Sequence, residues 1–286
     1  MKIRFLDEPF SRFKFRIRRR RAEAEVQARA VTPRKHSLDT PLIVSLTSYP
    51  PRFEYLRLTL LGVLNQTIAA DRTILWIAHQ DMDALPADIT ALSAQGLEIR
   101  ACDDMRSYKK ILPLLAEAPD ATIVTADDDV YYKQDWLENI VAAHATSQAP
   151  VVCTRGHHIT IAENGLPAPY SAWPKNHSKP TWSGRIFPTG VLGVLYAPGC
   201  FVDQVTDWDT AARLCPTADD IWLYWMHRMN GSAAFNYSGK SRIIEWVRDP
   251  EESLLTVNRI GGNDRQISAM IDHFGWPDLC QTTQET

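Results

Sequence analysis

The chain has 286 residues, 45% apolar and 23% charged, enough to build a sizeable core in one large domain or two small ones. No apolar run approaches the ~18–20 residues that a membrane span needs, which excludes an integral membrane protein. The formal net charge of −3 hides a split: residues 1–36 carry 12 Lys and Arg against 4 Asp and Glu, a balance of +8, and the remainder carries 19 against 30, a balance of −11.

The N-terminus shows no secretory apolar core or cleavage site. The five cysteines (Cys102, Cys153, Cys200, Cys215, Cys280) are odd in number and form no C-x-x-C. Together these predict a reducing, cytoplasmic compartment with neither a disulfide framework nor a zinc site.

Residues 2–21 interleave Lys and Arg with Phe5, Leu6, Phe10, Phe13, Phe15 and Ile17, and end in Arg18-Arg19-Arg20-Arg21. The first expectation is a tail or helix packed on its own body. The second is peripheral contact of residues 1–21 with an anionic membrane, because cations mixed with aromatics suit that surface. The acidic body argues against nucleic acid. Thr32, Pro33, Ser37, Asp39 and Pro41 read as a linker closing the arm.

From residue 42 strands and helices alternate. Leu42–Leu46 is a short apolar run closed by Thr47-Ser48-Tyr49-Pro50-Pro51, a buried strand entering a loop. Leu56, Leu60 and Leu64 recur at helical spacing. Ile74–Ala78 is a second strand, 84–94 a helix stopped by Gly96, and Leu97–Ala101 a third strand. Residues 107–117 read as one amphipathic helix with Ile111, Leu114 and Leu115 inward. Ala121–Thr125 is a fourth strand, 135–146 a helix, and Val151–Thr154 a fifth strand. Residues 155–190 are rich in Pro, Trp, His and Gly, as an irregular binding segment would be. Gly190–Tyr196 reads as a strand, and Ile221–Met226 as the apolar body of a helix.

This alternation predicts an α/β fold with a mostly parallel central sheet flanked by helices. Ligands of such sheets bind beyond the carboxyl ends of the strands. Polar clusters stand there: Thr47-Ser48-Tyr49, Asp103-Asp104 and Asp127-Asp128-Asp129.

Three consecutive aspartates at a buried strand end repel one another, and a hard divalent cation such as Mg²⁺ or Mn²⁺ would offset that cost. Extended-chain alternation would turn Asp127 and Asp129 to one side and Asp128 to the other. The competing reading is a solvated acidic turn. Asp219-Asp220 offers a second carboxylate pair. Thr217 and Asp220 have capping-box spacing, but one of the pair could still serve as a general base. Arg106-Ser107-Tyr108-Lys109-Lys110 would open a helix beside the ligand edge and bind an anion there. The His157-His158 pair reads as structural or substrate-facing, and His273 as a candidate third metal ligand. Trp173, Trp182, Trp222 and Trp225 are candidates for stacking on sugars, with Trp222 and Trp225 equally suited to the core. No G-x-S-x-G, P-loop or G-x-G-x-x-G occurs.

Five blocks follow one another in order: LIVSLTSYPPRF at 42–53, RSYKKILPLL at 106–115, IVTADDDVYY at 123–132, FPTGVLGVLYAPG at 187–199 and CPTADDIWLYWM at 215–226. Together they resemble bacterial nucleotide-sugar glycosyltransferases of the GT-A fold, of the kind linked to capsule or lipopolysaccharide synthesis. The resemblance spans roughly residues 42–275. It implies a basic arm and linker over 1–41, a GT-A domain over 42–275 and a tail over 276–286. It also implies a nucleotide-sugar donor, a glycan or lipid-linked acceptor and bound Mn²⁺ or Mg²⁺.

The resemblance further implies residue roles. Asp127 and Asp129 would form the Asp-x-Asp motif, with Asp129 on the metal and Asp127 also near the ribose, beside Asp128. Thr47, Ser48, Tyr49 and Arg52 would surround the base and ribose, and Lys109 and Lys110 would lie near the nucleotide or its pyrophosphate. Gly190 and Gly193 would let the donor sugar approach. Asp220 would be the base and Asp219 a partner of donor or acceptor hydroxyls, where relatives more often carry Glu-Asp.

Two other classes compete. One is another metal-dependent phosphate enzyme, such as a nucleotidyltransferase. An aspartyl phosphatase is disfavoured because the loop after the first strand holds no Asp. The other is a non-catalytic glycan-binding protein, which would not need two acidic motifs.

Overall fold

The computed structural model describes residues 8–239, 241–246 and 261–277, with side chains from residue 13 on. Arm residues 2–7, Cys280 and the tail from residue 278 lie outside the described residues. In chain order the helices are α1 (Glu8–Ala28), α2 (Phe53–Leu64), α3 (Ala87–Thr90), α4 (Leu112–Glu117), α5 (Trp136–Ser147), α6 (Trp208–Leu214), α7 (Asp219–Met229) and α8 (Asn263–Phe274). The strands are β1 (Arg34–Lys35), β2 (Leu42–Thr47), β3 (Ile68–Ala69), β4 (Arg72–Ala78), β5 (Leu97–Cys102), β6 (Thr122–Ala126), β7 (Val151–Cys153), β8 (Gly156–His158), β9 (Thr181–Ser183), β10 (Ile186–Pro188), β11 (Val194–Tyr196) and β12 (Ala234–Asn236).

One sheet of eight strands runs in the order β5-β4-β2-β6-β11-β7-β12-β9. Its first four strands are parallel. β11 lies antiparallel between β6 and β7. β2 is buried along both faces, as a covered parallel strand must be. Leu42, Val44 and Leu46 face the layer of α2 and α5, where Leu56, Leu60, Trp136 and Ile140 pack. Ile43 faces the opposite layer with Ile74, Trp76, Ile123 and Leu114 of α4. The alternation along β2 thus feeds two cores. Leu56 and Leu60 are wholly buried, each contributing about 2 kcal/mol. A larger core lies under α6, α7 and α8 and holds Trp173, Trp222 and Trp225.

Several sequence expectations shift here. The helix expected over 107–117 is divided. Arg106–Lys110 is a 3-10 turn, Ile111 leaves helical geometry (φ −138°), and α4 restarts at Leu112. Pro113 is the reason, since its ring lacks an N–H and clashes with the preceding turn of a continuous helix. An anion site at a helix N-terminus is therefore not formed there. The strand expected over 190–196 begins only at Val194, because Leu192 (φ +69°) and Gly193 (φ +91°) turn left-handed. Only Ala87–Thr90 of the 84–94 helix is α-helical, and the 3-10 turn after it ends at Gly96 (φ +94°).

The arm is partly integrated. Ala22 and Val26 of α1 are buried with Trp246, against Tyr55, Leu58 and Leu61 of α2. Arg29 donates to the carbonyls of Gly62 (2.8 Å) and Tyr132 (2.5 Å). The segment read as a linker is pinned as well. β1 pairs with β3, and His36 lies 2.8 Å from Asp71, which also accepts from the Leu42 amide at 2.8 Å. No helix among the described residues is long and apolar enough to cross a membrane.

Candidate active site

The loop after β2 and the loop after β6 meet at the carboxyl edge. Ser48 donates to Asp128 Oδ2 at 2.6 Å, and Arg52 donates to Asp128 Oδ1 at 3.2 Å while pairing with Asp129 through the same nitrogen. Burial works against the Arg52 charge, but Asp128 and Asp129 hold its pKa above the ordinary value. Its guanidinium lies 5.9 Å from the centre of the Tyr49 ring, and Tyr49 is exposed. Thr47 donates to the Trp76 carbonyl at 2.8 Å. Of these four residues, Ser48 and Arg52 hold the triplet, Thr47 ties β2 to β4, and Tyr49 offers the most open surface.

The alternation expected for the triplet does not hold. β6 ends at Ala126 and the chain bends at Asp128 and Asp129, so both reach Arg52. One guanidinium between two adjacent carboxylates requires that bend. Burial pushes the Asp128 carboxyl up to about 7; Arg52 and Ser48 oppose the rise and Asp129 adds to it. The backbone of the triplet is clamped by residues that the sequence did not single out. Thr59 donates to the Asp128 carbonyl (2.8 Å), the Asp127 amide donates to the Tyr132 hydroxyl (2.8 Å), and the Trp246 amide donates to the Asp129 carbonyl (2.8 Å). The Trp246 indole in turn donates to Thr59. The signal for Thr59 was a polar residue on the Leu-rich face of α2.

The second acidic motif arrives on α7. Tyr108 donates to the Cys215 carbonyl (2.7 Å) and Arg106 to the Pro216 carbonyl (2.8 Å), which draws the α7 approach onto the 106–110 turn. Buried Lys110 lies between the motifs, 3.2 Å from Asp127 Oδ1 and 3.1 Å from Asp219 Oδ2, the latter an ion-pair contact without hydrogen-bond alignment. Burial disfavours its charge, but Asp219, Asp127 and Asp220 raise its pKa well above the usual lysine value. Lys109 turns away, donating to Asp104 at 2.8 Å.

Asp220 Oδ1 accepts from the Gly190 amide at 2.9 Å. Burial, then repulsion from Asp219, pushes its carboxyl up to about 7, with Lys110 and the Gly190 amide opposing. The capping box is not formed. The N-cap of α7 is Ala218 with no side-chain cap bond, and Thr217 Oγ1 accepts from Gln266. A Cβ on Gly190 would stand 3.0 Å from Asp220 Oδ1 and 3.1 Å from Lys110 Nζ, so glycine there leaves the cluster room. Gly193 serves the core: its Cβ would strike the Trp136 ring at 2.6 Å.

The remaining candidates separate. Trp173, Trp222 and Trp225 are core residues, because their rings fill the interior between β10, α7 and α8, and they cannot stack on a ligand. Trp182 is half-buried on the edge strand β9. His157 is buried and accepts the Asn176 amide at Nδ1 (3.0 Å); burial, with Arg155 and Lys175 nearby, lowers its pKa to about 3 and keeps it neutral. His273 is exposed at the end of α8, against Phe274. Among the described residues no three His, Cys, Asp or Glu side chains cluster as a metal cage. Asp127 and Asp129, with side chains 26% and 30% exposed, do supply hard oxygen donors. Donors of this kind suit Mg²⁺ or Mn²⁺, which usually takes one or two carboxylates and completes its shell with water and substrate phosphate, but here Asp127 is paired with Lys110 and Asp129 with Arg52.

No protein-family model matches the chain, and no curated protein matches it by sequence. In structure it is similar to the mannosyltransferase PcManGT from Pyrobaculum calidifontis, solved in complex with GDP-Man and Mn²⁺. The TM-score is 0.51 at 14% identity, over 90% of this chain and 72% of that one. It also matches S. aureus TarS 1-349 (TM-score 0.47, 11% identity, 82% of this chain and 72% of that one). A third match is the inositol-1-phosphate CTP transferase from T. maritima (TM-score 0.39, 10% identity, 81% and 96%). The chain has an α/β fold of GT-A type.

Proposed function

We propose that this protein is a metal-dependent glycosyltransferase that moves a sugar, of hexose type, from a nucleotide-sugar donor to an acceptor hydroxyl. One observation carries the reading: two acidic motifs, 90 residues apart in sequence, meet around buried Lys110 at the carboxyl edge of the sheet. Binding alone would need one of them. Asp127 and Asp129 would hold Mg²⁺ or Mn²⁺. That ion would neutralise the diphosphate and the charge growing on the leaving group.

The remaining steps belong to the chain. Tyr49 provides an exposed ring for the nucleotide base, and Arg52 keeps the triplet folded beneath it. Lys110 supplies a fixed positive charge next to Asp127, where the pyrophosphate would lie. Asp220 takes the proton from the acceptor hydroxyl. The oxygen attacks the anomeric carbon as the bond to the nucleoside diphosphate breaks, a single displacement that inverts that centre. A carboxyl with a pKa near 7 suits this work at neutral pH. Asp219 stands beside it to bind a sugar hydroxyl.

The acceptor is proposed to be a glycan or lipid-linked chain of surface polysaccharide synthesis, met at the cytoplasmic face of a membrane. What supports this is α1, which exposes Phe13 with Lys14, Arg16, Arg18, Arg20 and Arg21. Neutralising those four arginines to Gln should release the protein from anionic vesicles. Truncation would be a poorer test, because Ala22, Val26 and Arg29 belong to the packed body.

The enzymatic reading is tested by titrating UDP- and GDP-sugars with and without Mn²⁺ and measuring free nucleoside diphosphate. Mn²⁺-dependent binding followed by release of nucleoside diphosphate is expected. Release of pyrophosphate would indicate nucleotidyl transfer, and binding without turnover a lectin-like role.

A further inference from the structure

Next to the acidic cluster lies a cluster of the opposite sign that the chemistry above does not use. A cavity of about 380 Å³ is lined by Arg155, Asn176, Ser241, Arg242 and Ile243. Its walls are fixed. Asn176 donates to the Ser241 carbonyl (2.7 Å) and accepts the Ser241 amide (3.1 Å), and the Ser241 hydroxyl donates to the Thr154 carbonyl (2.8 Å). From there the same strap runs to the triplet, with Glu245 bridged to Val130 and Trp246 bonded to Asp129.

Arg155 leaves the end of β7 and donates to Thr189 Oγ1 at 2.9 Å, while the Thr189 amide donates back to its carbonyl at 3.1 Å. Among the described residues neither Arg155 nor Arg242 has a carboxylate within ion-pair distance, whereas Arg52, Arg57, Arg72 and Arg100 each do. Lys175 lies close by, held over the Tyr170 ring with Nζ 3.3 Å from its centre. Burial lowers its pKa to about 8, and repulsion from Arg155 adds to the fall. Arg155 and Lys175 repel each other, with Asp220 and Asp264 offsetting part of their charge, and the hollow that Arg155 and Arg242 line suits an anion. Distance ties the hollow to the reaction. Thr189 holds Arg155, and the next residue, Gly190, holds Asp220, and consecutive residues lie ~3.8 Å apart.

We propose that the Arg155–Arg242 cavity binds an anionic group of the acceptor, a phosphate or a carboxylate, and so sets the acceptor hydroxyl before Asp220. The proposal rests on the glycosyl-transfer reading. The acceptor then carries its charge on the reacting sugar or its neighbour. Arg155 gives the bidentate fork and Arg242 closes the group from the exposed side.

The test uses the full chain and two probes, inorganic phosphate and D-glucuronate, titrated calorimetrically at low salt. Titrations are run with Mn²⁺ and GDP or UDP filling the donor site, and again without them. Wild type should bind at least one probe, and Arg155→Gln should bind it at least tenfold more weakly. Arg242→Gln, on an exposed side chain, should show the same loss with an unchanged melting temperature. Preference for phosphate points to a phosphorylated acceptor, and preference for glucuronate to an acidic sugar. Both variants binding as wild type does, or no binding of either probe by wild type, overturns the proposal. Because the comparison is also made without nucleotide, a protein that binds no nucleotide sugar but loses anion binding in both variants would defeat the glycosyl-transfer reading alone.

Discussion

Asp220→Asn is the substitution that separates catalysis from stability. In the fold the Asp220 carboxyl rises from the ordinary value of 3.8 to about 7, because it is buried beside Asp219. A rise of about 3 pH units at ~1.4 kcal/mol each sets an upper bound of about 4 kcal/mol on the cost of ionising it there. Asparagine removes that cost and keeps an oxygen for the Gly190 amide. Lys110 loses one of three neighbouring carboxylates, which returns part of the gain. The net expectation is a stabilisation of about 1–2 kcal/mol, or roughly 2–6 °C in melting temperature.

The sign depends on pH. A carboxyl whose folded pKa is raised stabilises the fold, relative to its ionised form, below its unfolded pKa, and that contribution is lost as pH rises through the folded value. The gain of Asp220→Asn should therefore be full at pH 8 and shrink toward pH 4. The assay is a series of thermal melts of both proteins with a chelator present, alongside turnover with metal restored. Turnover should vanish while the melt rises. A variant less stable than wild type by the same margin at pH 5 and pH 8 would refute the burial argument. Retained turnover would remove Asp220 as base.

Lys110→Met should cost about 3–5 kcal/mol, read in urea unfolding, because it leaves buried Asp219 and half-buried Asp127 and Asp220 without their cation. Asp129→Ala should abolish the Mn²⁺ dependence of nucleotide binding, measured by calorimetry, while Asp128→Asn, which removes a second carboxyl pushed up to about 7 by burial, should keep that dependence and raise the melting temperature at pH 8 but not at pH 4. Gly193→Ala should destabilise by about 2 kcal/mol or more in thermal melts, from a left-handed φ of +91° and a methyl driven into Trp136. Asp71→Ala should cost about 1 kcal/mol at pH 7, discounted for its exposure. Burial opposes ionisation of Asp71, but the Leu42 amide and His36 lower its pKa, so the deficit should fade as pH drops below the ordinary carboxylate range.

The inner sheet was legible because β2, β4 and β6 are short apolar runs with both faces covered, as Leu42–Leu46 shows, while the edge strand β5 carries Glu98 and Arg100 and is only partly covered. The triplet was legible because three carboxylates ending such a run demand compensation. What escaped was the identity of the compensating groups, since those are chosen by tertiary neighbours. Arg52 and Lys110 reach the triplet from 76 and 17 residues away. Arg155 was within reach of the rule already applied, for it stands at the end of the fifth strand of the sequence, where ligand residues gather. An isolated arginine, however, carries no motif that marks it in the sequence.

The misread capping box shows why local spacing failed at the site itself. Thr217 and Asp220 have the right separation, and a lone helix would use them so. In the fold, β11 enters the sheet antiparallel between β6 and β7. The turn that starts it, at Leu192 and Gly193, leaves Gly190 over the head of α7. The Gly190 amide then takes the Asp220 oxygen, and Gln266 of α8 takes Thr217. A helix start relinquished its usual cap to partners from two other elements. That exchange costs about 1 kcal/mol of capping, and it holds a carboxylate beside Asp219 that a cap would have turned toward the backbone. Such a trade makes sense where the carboxylate has to meet a substrate.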